Sequence, residues 1–96
     1  MEKSDVVRAV IDVLAGLQSM SGRPATNISD RTCAIGDLDQ FDSLNGVEAT
    51  VELSERLGME LPAVNVFVNE NGTKALTVSE IADSICQRTA GKESLE

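Results

Sequence analysis

The chain contains no histidine, no tryptophan and no tyrosine. Without histidine it lacks the commonest general base and the commonest metal ligand, and every Ser-His or Cys-His nucleophile pair is excluded. A carboxylate-only enzyme is the catalytic option that survives, but no spacing of the acids singles out a working pair. The expectation is therefore a protein that is not an enzyme and holds no metal. Phe41 and Phe67 are the only aromatics among 42% apolar residues, so the core must be mostly aliphatic. Basic residues are also scarce: 8 Lys and Arg face 16 Asp and Glu, a net charge of −8. That balance repels nucleic acid and anionic membranes and attracts basic partners. No stretch reaches the roughly 20 apolar residues of a membrane span, and the N-terminus lacks the basic-then-apolar pattern of a secretory signal, so the expected compartment is the cytosol. Cys33 and Cys86 are too few and too far apart for a metal-site spacing. They are expected as small, buried, reduced residues, with a single disulfide as the competing reading. Asn27-Ile28-Ser29 and Asn71-Gly72-Thr73 match the glycosylation pattern, which an unsecreted chain uses only as turn chemistry.

What is present reads as an all-α protein. The length of 96 residues suits one domain, expected over 1–91 with a frayed tail at 92–96 whose last two residues resemble a cloning scar. Val6, Val10, Val13, Leu14 and Leu17 recur at helical spacing, predicting a helix from Ser4 to about Leu17. A long polar stretch follows to Asp42, with apolar anchors at Ile28, Cys33, Ile35, Leu38 and Phe41. Loops of this length are usually functional or disordered, and the anchors argue for order. A second helix is predicted from Leu44 to Leu57, stopped by Gly58. On its wheel Leu44, Val47, Thr50, Val51, Ser54 and Leu57 share one side, while Glu48, Glu52 and Glu55 fall within roughly 60° of one another on another. Beyond Gly58 the signals conflict. Val64, Val66 and Val68 alternate and Asn71-Gly72 is a turn, which suggests a short hairpin; a short helix after Pro62 is the alternative. The last helix is the best defined, with Thr77 as N-cap, Glu80 closing a capping box, Leu76 stapling onto Ile81, and Gly91 as its expected end. Val78, Ile81, Ala82, Ile85 and Cys86 form its apolar face.

Ser43 stands where the long loop becomes the acid-striped helix. Its hydroxyl should be exposed beside a helix N-terminus, whose unpaired N–H groups and partial positive charge suit a phosphodiester. The competing interpretation is that Asp42 or Ser43 is only an N-cap, worth about 1 kcal/mol.

The string Phe41-Asp42-Ser43-Leu44, preceded by Gly36-Asp37-Leu38 and followed by Val47-Glu48, Leu57-Gly58 and Leu61-Pro62, resembles the acyl carrier protein family. Leu76-Thr77-Val78, Ile81-Ala82 and Ile85 resemble that family's final helix, so the similarity spans nearly the whole domain. The resemblance implies a small bundle of three main helices plus one short helix, with a long loop between helices one and two. It implies that Ser43, flanked by Asp42 and Leu44, receives 4′-phosphopantetheine from coenzyme A through a phosphopantetheinyl transferase, and that the arm's thiol holds acyl groups as thioesters. It also implies that Glu48, Glu52 and Glu55 present a docking surface to basic patches on partners: a loading ligase and the synthases or acyltransferases of fatty-acid, polyketide or related biosynthesis. Leu44, Val47 and Val51 would face the cleft that shelters an acyl chain. The chain would act as a monomer without stable membrane insertion. A carrier of amino acids, D-alanyl or peptidyl, is the alternative cargo class; an unmodified acidic helical interaction module is the contrasting one. Asn45 and Gly46 depart from the family's usual acid and larger residue, and a mid-helix glycine costs about 1 kcal/mol relative to alanine. The segment from Ala63 to Leu76 is also longer than the common form.

Overall fold

The computed structural model describes residues 2–20, 22, 28–38, 41–61, 64–69 and 71–94, with 88–94 described as backbone alone. Four helical elements follow in order: α1 (Lys3–Met20), α2 (Ala34–Asp37), α3 (Ser43–Leu57) and α4 (Val78–Ser94). The all-α expectation holds, and the radius of gyration of 12.7 Å matches the ~13 Å of a compact chain of about 100 residues.

α1 is the scaffold on which both α3 and α4 pack. Val6, Ala9, Val10, Val13 and Leu14 turn inward, and the helix continues past the expected Leu17 so that Gln18 is buried as well. Two surface ion pairs tie the helices together: Lys3 to Asp83 at 3.0 Å and Arg56 to Asp12 at 3.1 Å. The core facing α1 comes from Ala49 and Leu53 of α3, from Val78, Ile81, Ala82 and Ile85 of α4, and from Ala34, Phe41, Val66 and Phe67 in the connections. It is aliphatic apart from one edge-to-face pair, Phe41 and Phe67, whose ring centres lie 5.8 Å apart.

The described part of the α1–α3 connection is ordered by the anchors its sequence places there. Ile28, Ile35 and Leu38 pack against the core and Phe41 is buried within it. α2 is a single turn rather than a regular helix, because Ile35 and Gly36 leave helical dihedrals and Gly36 takes a φ of 115° open to glycine alone. The fourth and shortest helical element among the described residues is thus this turn within the long loop.

Between α3 and α4 the described residues form turns and an isolated bridge rather than a regular strand or helix; Pro62 and Ala63, where the alternative helix would begin, lie outside the described residues. Val68 pairs antiparallel with Ala75, and Leu76 N–H donates to Phe67 O at 2.8 Å. Gly72 takes the positive φ of 70° that its turn demands. Val64, Val66 and Val68 do not alternate as a strand, since Val66 and Phe67 form a turn and are both buried. A second bridge, Cys33 to Thr77, joins the two connections.

α4 begins at the expected residue. Thr77 Oγ1 accepts from Glu80 N–H at 3.1 Å and Glu80 Oε1 accepts from Thr77 N–H at 2.9 Å, the reciprocal pair of a capping box. Loop carbonyls satisfy further donors of the same turn: Val78 N–H reaches Thr32 O and Ser79 N–H reaches Asp30 O. Its other end differs from the expectation, because the helix runs on through Gly91 to Ser94. Leu95 and Glu96 lie outside the described residues. Neither cysteine is in a disulfide, and both are half-buried rather than fully buried. No helix among the described residues is long and apolar enough to cross a membrane.

Candidate functional site

The start of α3 is built by capping. Asp42 adopts extended dihedrals, φ −114° and ψ −170°, and its Oδ1 accepts from the N–H groups of Leu44 and Asn45, each at 3.1 Å. Asn45 answers through Oδ1, which accepts from Asp42 N–H at 3.1 Å. Asn45, a departure from the family pattern, is thus the partner that completes a capping box. The cap role falls to Asp42, which leaves Ser43 as the first helical residue, exposed, its hydroxyl without a hydrogen bond among the described residues.

Several N–H groups of this helix start are already engaged: Leu44 and Asn45 by the Asp42 carboxylate and Asp42 by Asn45 Oδ1, while Gly46 makes the first intrahelical bond, to the Asp42 carbonyl at 3.0 Å. What persists there is the helix dipole.

The face that α3 buries also differs from the expected one. Gly46, Ala49, Thr50 and Leu53 are the buried positions, whereas Leu44 is 70% and Val51 54% exposed. Gly46 lies against Asn65 and Thr50 is bonded to Val66 N–H, so part of this buried face meets the connection that follows α3, while Ala49 and Leu53 join the hydrophobic core. The face carrying Val47, Val51 and Ser54 is left open. Together with Thr50, Glu55, Glu60, Leu61 and Val64 it lines a groove of about 510 Å³ between α3 and the segment that follows it. Val47 and Val51 thus face a cleft as expected; Leu44 does not line it and projects beside Ser43 instead. Glu60, Leu61 and Val64 escaped the sequence reading, since no local pattern marks which connection will fold back over a helix.

Glu48, Glu52 and Glu55 are all exposed along α3. None has a salt bridge among the described residues. Arg56, the basic residue nearest the stripe, is drawn away to Asp12 on α1. The stripe runs beside the groove, and Glu55 belongs to both.

Cys33, the thiol of the long connection, is no competing nucleophile. Burial pushes it above its ordinary value of 9.0, and the Asp37 and Glu80 carboxylates push the same way. At neutral pH it stays protonated. No cluster of metal-ligating side chains occurs among the described residues.

No family model, curated protein or solved structure matches the chain.

Proposed function

We propose that this chain is a carrier protein of the acyl-carrier type, in which Ser43 bears a 4′-phosphopantetheine arm and the folded domain presents arm-bound acyl groups to partner enzymes. The observation that carries the reading is the division of labour at the start of α3. Asp42 performs the capping that a serine there would otherwise do, and Ser43 is left exposed with its hydroxyl unengaged among the described residues.

In this reading Ser43 Oγ attacks the phosphorus of coenzyme A that bears the pantetheine chain. A new O–P bond forms and the pyrophosphate P–O bond breaks, releasing adenosine 3′,5′-bisphosphate; the hydroxyl proton passes to the transferase. The arm, once attached, supplies a terminal thiol that holds cargo as a thioester. Val47, Val51, Leu61 and Val64 offer an apolar wall close to the arm, which favours acyl over aminoacyl cargo. Glu48, Glu52 and Glu55 supply the negative surface that basic patches on ligases, synthases and acyltransferases would meet, as a cytosolic monomer would use it.

The test is intact mass after incubation with coenzyme A, magnesium and a promiscuous phosphopantetheinyl transferase. Wild type is expected to gain the mass of one phosphopantetheine and Ser43→Ala to gain none. An unmodified wild type beside a modified control carrier would sink the proposal and leave the acidic interaction module.

A further inference from the structure

Gly46 lies in the second turn of α3, where glycine weakens a helix relative to alanine. A close neighbour explains it. A Cβ at this position would fall 2.7 Å from both Nδ2 and Oδ1 of Asn65 and 3.0 Å from its Cγ, while Gly16, Gly22, Gly36, Gly58 and Gly72 have nothing within 4 Å. The missing side chain is a notch, and the Asn65 amide occupies it.

From that notch Asn65 Nδ2 donates to the carbonyl of Ser43 at 3.1 Å, and Asn65 Oδ1 accepts from Phe67 N–H at 3.0 Å. The next residue continues the grip: Val66 N–H donates to Thr50 Oγ1 at 3.1 Å, and that buried hydroxyl donates to Gly46 O at 2.7 Å. Phe67 then meets Phe41, two residues before Ser43, edge to face. Residues 65–67 thus hold the helix start on both sides of Ser43. Asn65 alone reaches the peptide of Ser43 itself.

We propose that Asn65 is a positioning residue for Ser43: the hydrogen bond its side-chain amide donates to the Ser43 carbonyl fixes the peptide that carries the reactive hydroxyl, and Gly46 is the notch that admits it. This rests on the carrier reading above. With the backbone fixed, the hydroxyl keeps only its side-chain rotation, and a transferase meets one geometry rather than several. Misplacing a reacting group by about 1 Å can cost on the order of 100-fold in rate.

The experiment compares wild type, Asn65→Ala and the double variant Gly46→Ala/Asn65→Ala, measuring urea midpoint together with kcat and KM for phosphopantetheine transfer from coenzyme A. In the double variant the new methyl group enters the vacated notch and the helix gains alanine, so stability recovers relative to Asn65→Ala. If Asn65 positions Ser43, kcat stays lower by about tenfold or more in both variants, with KM for the carrier changed less. Transfer that returns to the wild-type rate as stability recovers would overturn the proposal and reduce Asn65 to a packing residue. A wild type that is not modified at all would overturn the carrier reading first, and this inference with it; the wild-type arm alone separates the two failures.

Discussion

Asp42 and Ser43 are neighbours with separable tasks, and substitution tells them apart. Asp42→Ala removes the acceptor of two helix N–H groups. It is expected to lower stability by about 1 kcal/mol. Ser43→Ala removes a hydroxyl that no described group uses, so stability should stay within about 0.5 kcal/mol. Denaturant midpoints measure both, and a larger loss at Ser43 than at Asp42 would return Ser43 to the role of a cap. Asn45 and Gly46 looked like plain departures from a family pattern, and each has a local cause: one completes the capping box, the other makes room for Asn65. Asn45 was legible in principle, three residues after Asp42. Gly46 was not, because its partner lies far along the chain and no spacing rule connects them.

At the scale of elements, the parts written in short-range code were readable. The Thr77–Glu80 box and the Gly58 stop depend on contacts a few residues apart, and both stand where the sequence places them; Gly58 adopts the left-handed φ of 66°. Side-chain hydrophobicity marks Leu44, Val47 and Val51, the positions expected at a cleft, but it could not show that α3 buries Gly46, Ala49, Thr50 and Leu53, because Gly46 and Thr50 meet residues 65 and 66, far along the chain. The α4 cap also has a pH signature. Its bond from Thr77 N–H holds the Glu80 carboxyl below its ordinary value of 4.5, with Lys74 acting in the same direction. The unfolded chain therefore takes up this proton first as pH falls. Glu80's contribution is fully present above 4.5 and is lost as pH drops through its lower folded value. The stability gap between wild type and Glu80→Ala, read from urea midpoints, should be open at pH 7 and close on acidification below 4.5. A gap independent of pH would assign the effect to packing rather than to the carboxylate.

Over the whole molecule, the acidic stripe of α3 borders the groove, and Glu55 is common to both. A net charge of −8 steers any basic partner toward the protein, and the stripe of Glu48, Glu52 and Glu55, which has no ion pair among the described residues, gives that attraction a direction. Glu48→Lys/Glu52→Lys is expected to slow transferase loading mainly through association, and the deficit should shrink as salt shortens the screening length from about 10 Å at 0.1 M to about 3 Å at 1 M. Equal rates at low salt would remove the stripe from recognition. The arrangement follows from α1 acting as scaffold: its Asp12 engages Arg56, keeping the cation off the stripe, while its apolar face takes the closely packed side of α3 and leaves the Val47–Val51 side open. The most direct measurement is peptide-level fragmentation of the chain after loading from coenzyme A. Phosphopantetheine carried on Ser43, with the other serines unmodified, is the predicted result; an unmodified chain, or an arm attached at any other residue, would contradict the account.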